Sequence, residues 1–248
     1  MGRFSYAPFF GIIITSLNKQ KKPPVRCKKS AQGLGAEGES VVVADVHRLN
    51  THADWAKALA SQLREATRAL HRRLDHSPRL APLLRPQLTL AEYSHILKTL
   101  YAINLPIELR IADYIAANEL PIDYESHRRM RDLAIDLAYL DLTPPAAAWA
   151  GPLINSPGAL IGCFYVLAGS SLGGRVIFRQ LQISLAVDEQ NGAKFFAGHG
   201  EQTMDKWHEF WHFAAAICPA SELPAAQQSA TLLFESIIQH LERSHDDR

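Results

Sequence analysis

Residues 165–177 read Tyr-Val-Leu-Ala-Gly-Ser-Ser-Leu-Gly-Gly-Arg-Val-Ile and place three glycines inside an apolar helical run from Ala159 to Leu185. A glycine in a helix interior costs about 1 kcal/mol relative to alanine. Gly169, Gly173 and Gly174 stand at i, i+4 and i+5, so we expect them near one helical face. A face without side chains lets a flat or bulky group approach the backbone, lets the helix kink, or lets a neighbouring helix pack closely.

The composition is that of an ordinary globular protein. The chain has 248 residues, is 47% hydrophobic and carries a formal net charge of +1, so we expect no nucleic-acid partner. Residues 1–47 are predicted to be a disordered extension because Lys, Pro, Gly and Ser dominate much of them. Residues 48–245 are predicted to form one domain. The apolar stretch from Phe9 to Leu17 is too short to span a bilayer, so we expect no membrane association.

The cysteines indicate a reducing compartment. Cys27, Cys163 and Cys218 are widely spaced and form no CxxC pair, which argues against a disulfide framework or a cysteine–zinc site. Cys163 and Cys218 lie in apolar helical patterns and are predicted to be core residues. We therefore expect a cytoplasmic protein.

Apolar residues recur with a helical period from residue 52 onward, and strand-like alternation is nearly absent. We predict an all-α domain. Serine, threonine and proline at suitable positions mark several helix starts. The predicted helices are about Trp55 to Ser77, Thr89 (with Glu92 as a capping box) toward Ile115, Tyr124 to Leu140, Ser156 through the glycines, Glu201 to Ile217, and Ser221 to Arg243.

The first predicted helix carries a candidate metal ligand. Thr67, His71 and Asp75 are spaced four residues apart and lie on one stripe. The Asp75 carboxylate could hold one ring nitrogen of His71 and leave the other to bind a metal such as heme iron. A surface His–Asp pair on a charged helix would produce the same spacing.

Two motifs resemble those of heme oxygenases, in particular their bacterial, biliverdin-producing branch. Leu63-Arg-Glu-Ala-Thr67-x-x-x-His71 resembles the proximal-helix motif, and Gly169-Ser-Ser-Leu-Gly173-Gly174 resembles the distal-helix motif. The stretch from Lys194 to Trp207 is similar to a segment typical of the bacterial branch. The region 88–101 matches the family's second helix more loosely, and the whole resemblance covers roughly residues 55–240.

The resemblance implies a multi-helix bundle in which heme lies between a proximal helix and a kinked, glycine-rich distal helix. It implies that heme is both cofactor and substrate. Dioxygen and electrons from an external donor would convert it to biliverdin, carbon monoxide and ferrous iron. A monomer is the family expectation, and a bilin-accepting phytochrome is a candidate partner.

The resemblance also implies roles for individual residues. The distal, catalytic side would be formed by Gly169, Ser170, Gly173 and Gly174. The heme-binding candidates are Arg64, Thr67, His71, Asp75, Arg175 and Lys206. Among them His71 would ligate the iron, Asp75 would support it, and Arg64 would pair with a heme propionate. Arg175 and Lys206 are weaker propionate candidates, for which a solvated helix face is the simpler interpretation.

Three positions depart from the family pattern. Ser170 stands where many animal-type enzymes carry an aspartate that orders water, Ala168 where bacterial relatives often carry glutamate, and His199 where we expect tyrosine. A serine hydroxyl can hold water but offers no carboxylate. A slow enzyme and a heme-binding protein without turnover are therefore alternatives.

A non-heme di-iron oxidase on the same helical scaffold is a further alternative. Glu92-Tyr-Ser-His95 and Glu242-Arg-Ser-His245 each place glutamate and histidine at i and i+3, the spacing that di-iron sites use.

Overall fold

The structure is a computed structural model that describes residues 52–243. The extension predicted over residues 1–47 lies outside the described residues, as do Cys27 and His245. Within the described range the chain forms α-helices and 3-10 turns and no strand, which confirms the all-α prediction. The helices are α1 (His52–Asp75), α2 (Leu90–Ala117), α3 (Met130–Tyr139), α4 (Pro157–Ser184), α5 (Lys194–Ala197), α6 (Thr203–Ile217) and α7 (Leu223–Arg243).

Local sequence signals set the starts of α2 and α4. The Glu92 N–H donates to Thr89 Oγ1 at 3.2 Å, and the Thr89 N–H donates to Glu92 Oε2 at 2.9 Å, forming the predicted capping box. The Ala159 N–H donates to Ser156 Oγ at 3.2 Å, and Pro157 occupies the first turn of α4. Both predicted starts are confirmed.

The prediction of a helix over residues 124–140 is wrong for the first part of this range. A 3-10 turn covers Tyr124–His127, and α3 begins only at Met130. The cause is Glu108 on α2, whose Oε2 accepts the N–H of Arg129 at 2.6 Å and that of Met130 at 3.0 Å. A helix start leaves N–H groups without partners, and this buried carboxylate satisfies two of them. The other predicted helix ends differ from the structure by about two residues.

Helix α4 is the core of the bundle. It packs most extensively on α7, and α1 packs on α6 and α7. By length and composition α4 could cross a membrane, but most of its apolar stretch is buried against the other helices. Cys163 on α4 and Cys218 after α6 are buried free thiols, as predicted.

Two glycines that the sequence analysis did not single out bring α4 and α7 together. A Cβ atom on Gly158 would overlap the carbonyl oxygen of Glu222, and one on Gly162 would overlap that of Ala226. Because backbone cannot move aside as a flexible side chain can, only glycine fits at these two contacts. The close contact between α4 and the start of α7 therefore lies in the N-terminal half of α4.

We predict that Gly162→Ala lowers the free energy of unfolding by about 1–3 kcal/mol, because the added methyl group overpacks the α4–α7 contact. Urea denaturation of the heme-free chain followed by circular dichroism measures this. Gly169→Ala is the matched control, since its Cβ would meet nothing nearer than a Trp207 ring atom at 4.0 Å. It should leave stability unchanged or raise it by up to about 1 kcal/mol. Equal stabilities for the two variants would contradict the packing argument.

Candidate functional site

A mostly apolar cavity of about 90 Å³ lies where α4 meets the ends of several other helices. Its lining residues are Leu74, Leu80, Leu83, Leu100, Asn104, Arg129, Val166, Leu167, Ser170, Ser171, Gly174, Ile177, Phe195, Phe196, Phe234 and Ile237. Such a lining suits an apolar ligand that carries few polar groups.

His71 on α1 does not itself line this cavity but packs against Phe234, which does. Its ring centroid is 4.3 Å from that of Phe234, which lines the cavity, and 6.4 Å from that of Tyr165, which it meets edge-on. Burial, and then the positive charge of Arg64, lowers the pKa of His71 to about 4. The imidazole is therefore neutral at neutral pH, the form that ligates metals.

His71, on the predicted stripe of α1, contacts Tyr165 of α4 and Phe234 of α7. Thr67 is fully buried and donates to the Leu63 carbonyl oxygen at 2.8 Å. Burial raises the pKa of Tyr165 on α4, and the neighbouring Thr67 side chain and Arg64 partly offset that rise. Arg64 itself is exposed, and Asp75, one turn beyond His71, is half-buried. Residues 64–75 thus run from the surface to the edge of the cavity.

The three glycines of α4 do not share one face, which corrects the sequence-based expectation. The Cβ direction of Gly169 points to Trp207, whereas that of Gly174 points to the backbone of Phe196, whose carbonyl oxygen lies 3.1 Å from the Cβ position. Five residues turn an α-helix by about 500°, so these glycines are about 140° apart. Gly173 is buried between them. The helix is continuous from Pro157 to Ser184 through all three.

Ser170 and Ser171 are the serines of α4 at the cavity. The Ser170 Oγ donates to the Leu167 carbonyl oxygen at 2.7 Å and keeps a lone pair for another donor. Ser170 lines the main cavity and also a second, more polar cavity of about 20 Å³ beside it. Asn104 and Arg129 likewise line both cavities. The two spaces therefore adjoin at the distal side of α4.

The polar cavity contains residues that the sequence analysis missed. Besides Ser170, its polar lining includes Asn104, Glu108, Tyr124, His127 and Arg129. These come from α2 and from the 3-10 turn before α3, so no single helix face reveals them. One sequence feature could have indicated them: Asn104 and Glu108 interrupt the apolar run of α2, and a charge in such a run needs a buried partner.

A pair of ionic groups fixes the aromatic wall of the main cavity. The carboxylate of Asp136 accepts the N–H of Lys194 at 2.7 Å and that of Phe195 at 2.8 Å. The Arg129 guanidinium donates to the carbonyl oxygens of the same two residues at 3.1 and 2.9 Å. Burial raises the pKa of Asp136 to about 6, although these two N–H groups favour its charged form. Phe195 and Phe196 are thereby held at the cavity.

A heme oxygenase family model matches residues 57–243. This chain belongs to the heme oxygenase family. Among solved structures, the NO- and CO-bound heme oxygenase from Neisseria meningitidis has the same fold, with a TM-score of 0.65 and 23% sequence identity. The match covers 76% of this chain and 92% of that one. No curated protein matches this chain. The resemblance to the family and the expected fold are confirmed.

Family membership implies heme as the substrate, and the residues at the cavity fit it. The cavity offers apolar walls to a macrocycle, and a neutral imidazole on α1 packs against Phe234 of its lining. Arg64 influences His71 electrostatically, and its own side chain is exposed.

The two weaker propionate candidates are not brought to the main cavity. The Lys206 ammonium donates to Glu209 Oε2 at 2.8 Å and to Ser126 Oγ at 2.7 Å. Arg175 is exposed and lines a separate surface groove with Phe178. The solvated-face interpretation therefore applies to Arg175, and Lys206 belongs to a polar cluster on α6.

The di-iron alternative gains no support from the geometry. Glu92 uses its carboxylate in the cap of α2, and His245 lies outside the described residues. Between residues 52 and 243, no three His, Cys, Asp or Glu side chains are grouped so that they could hold a metal ion.

His199 makes a testable contribution to the pH dependence of stability. Burial first, and then the charge of Arg129, lowers its pKa to about 4, with smaller effects from His127 and Lys206. The His199 ring binds a proton more readily in the unfolded chain than in the folded chain. Its contribution to the free energy of unfolding is therefore complete above pH 6.5 and is lost as the pH falls toward 4. We predict that His199→Gln flattens this part of the stability curve by up to about 2 kcal/mol after solvent screening.

The curve is measured by urea denaturation of the heme-free chain between pH 4 and pH 7. His76→Gln is the control, because His76 is exposed. If wild type and His199→Gln lose stability in parallel over this interval, His199 is not protected from protonation in the fold.

Proposed function

We propose that this chain cleaves heme to biliverdin, carbon monoxide and ferrous iron, using dioxygen and electrons from an external donor. One observation carries the proposal. A neutral imidazole on α1 packs against Phe234, which lines an apolar cavity bordered by the Ser170–Gly174 part of α4. Family membership supplies the reaction class, and the cavity supplies a place for it.

In this proposal His71 ligates the heme iron and Asp75 supports it from the same stripe of α1. Arg64 pairs with a propionate at the surface, and Thr67 fills the buried side of the helix. When bound, the heme supplies both the oxygen-binding iron and the macrocycle that is cleaved.

In this proposal the distal side is formed by the backbone at Gly174 together with the Ser170 hydroxyl, both of which line the cavity. Gly169 and Gly173 are not part of that lining. The Ser170 hydroxyl can orient water. Phe195 and Phe196, held by Asp136 and Arg129, restrict the entry of bulk water from one side. A dry, fixed surround of this kind strengthens the polar interactions that guide the reaction.

The biological setting is part of the same proposal. The segment between Lys194 and Trp207 supports assignment to the bacterial, biliverdin-producing branch. We place the enzyme in the cytoplasm as a monomer that needs an electron donor, with no membrane or nucleic-acid partner. A bilin-accepting phytochrome is the candidate recipient of its product.

The second candidate function is heme binding without turnover. It is favoured by one specific observation, the lack of a carboxylate at positions 168 and 170 of the distal helix. An enzyme that lacks this group needs another way to order water and deliver protons.

The ligand assignment is tested by substitution. We predict that His71→Ala loses the axial ligand, which changes the ferric Soret spectrum and abolishes most turnover while circular dichroism stays that of wild type. His76→Ala is the control, because His76 is exposed and bonded to the Arg72 carbonyl oxygen at 2.6 Å. If His76→Ala abolishes the ferric heme spectrum and His71→Ala does not, the ligand is misassigned.

Turnover is tested by adding heme, ascorbate and air to the purified chain. An enzyme loses the Soret band while a broad red biliverdin band grows, and released carbon monoxide can be trapped by ferrous myoglobin. A Soret band that persists under ascorbate establishes the binding-only alternative. A chain that forms no Soret band overturns both functions.

A further inference from the structure

A polar connection runs from the protein surface to the distal side of α4. It begins at Glu209 on α6, whose side chain is 40% exposed, and continues to His127, whose side chain is 3% exposed. His127 Nε2 lies 3.3 Å from Glu209 Oε2. His127 also lines the polar cavity that adjoins Ser170. One buried imidazole therefore stands between a surface carboxylate and the distal side of the candidate heme site.

The far end of this connection is suited to water. The polar cavity has a volume of about 20 Å³, room for about one water, and is lined by Asn104, Glu108, Arg129 and Ser170 as well as His127. A cavity of this size with several polar partners is the kind of space that holds ordered water. Such water would link the histidine to the Ser170 hydroxyl.

The carboxylate at the near end is held in place. The Lys206 ammonium donates to Glu209 Oε2 at 2.8 Å and to Ser126 Oγ at 2.7 Å. Ser126 precedes His127 in the 3-10 turn, so Lys206 ties α6 to the turn that carries the histidine. The His127–Glu209 pair is therefore a fixed contact between two elements.

The surroundings favour the neutral form of the His127 ring. Burial lowers its pKa, Glu209 opposes this, Lys206 adds to it and Asp123 weakly opposes it. The ring of His199 is 6.3 Å away, centroid to centroid, and is itself neutral at neutral pH. A neutral imidazole donates through one nitrogen and accepts through the other, which is what proton relay requires.

We propose that His127 relays protons from Glu209 to the distal side of α4 at Ser170, an inference that rests on the proposed heme cleavage. Glu209 takes a proton from solvent and passes it to Nε2 of His127. The ring releases its other proton, from Nδ1, to water in the polar cavity and returns to neutral. One proton moves inward and no electron moves with it.

Such a relay supplies what the side chains at positions 168 and 170 of α4 lack, a group that exchanges protons with solvent. Reduction of dioxygen during heme cleavage consumes protons, and Ser170 alone can orient water but cannot take protons from solvent. A purely structural role for His127 would use only the shape of its ring, which packs edge-on against Phe164 with centroids 5.2 Å apart. Proton relay requires ring nitrogens that gain and lose a proton, whereas packing against Phe164 requires only the shape of the ring.

The test compares wild type with His127→Gln and Glu209→Gln. Glutamine keeps polarity but cannot relay a proton. We expect both variants to slow heme degradation under ascorbate roughly 10-fold or more, with an altered pH–rate profile and a changed solvent isotope effect in D₂O. Heme affinity, measured by Soret titration, should not change.

The control is Glu125→Gln. It removes a 69% exposed carboxylate that belongs to the same 3-10 turn and pairs with Arg128, so it should leave the rate unchanged. NMR titration of the heme-free chain adds a readout that does not depend on activity. Glu209→Gln should lower the pKa of the His127 ring, because it removes the charge that raises it.

Unchanged rate, pH profile and isotope effect in both variants would overturn the relay and leave heme cleavage intact. An unchanged His127 titration in Glu209→Gln would overturn it as well. If His127→Gln misfolds, the surface variant Glu209→Gln decides. A wild-type chain that binds heme but never degrades it overturns the proposed function first and the relay with it.

Discussion

A single buried carboxylate organises the distal half of this molecule. Glu108 is 1% exposed in the middle of α2 and accepts hydrogen bonds from the N–H groups of Arg129 and Met130 and from the Arg128 guanidinium. A buried charge is tolerated only when such partners surround it. These partners lie at the start of α3. The carboxylate therefore sets the position at which the 3-10 turn ends and α3 begins.

The start of α3 at Met130 sets the positions of the functional groups. With α3 starting at Met130, His127 falls in the preceding turn and faces α6, and Arg129 reaches across to the backbone of Lys194 and Phe195. The aromatic wall of the main cavity and the polar lining of its neighbour thus originate from one helix start. The chemistry proposed for α4 depends on residues that lie on other elements and are oriented by Glu108.

Features encoded over a few residues were predictable from the sequence. The caps at Thr89 and Ser156 are satisfied within one turn, and the stripe of Thr67 and His71 follows from helical geometry alone. The late start of α3 was not predictable, because it depends on a carboxylate about twenty residues earlier in the chain. The glycine faces were misjudged because i+5 was treated as equivalent to i+4. The polar cavity escaped notice because its lining comes from several elements.

The division of α4 into two halves determines which of its positions can be substituted without loss of close helix packing. A Cβ atom at Gly158 or Gly162 would overlap backbone atoms at the start of α7, so this half of α4 packs closely there. The cavities border the other half of the helix. The segment of α4 that packs on α7 and the segment that borders the cavities are therefore different parts of one continuous helix. Substitutions at positions 168–170 can therefore change the side chains at the cavities without touching the glycine contacts that join α4 to the start of α7.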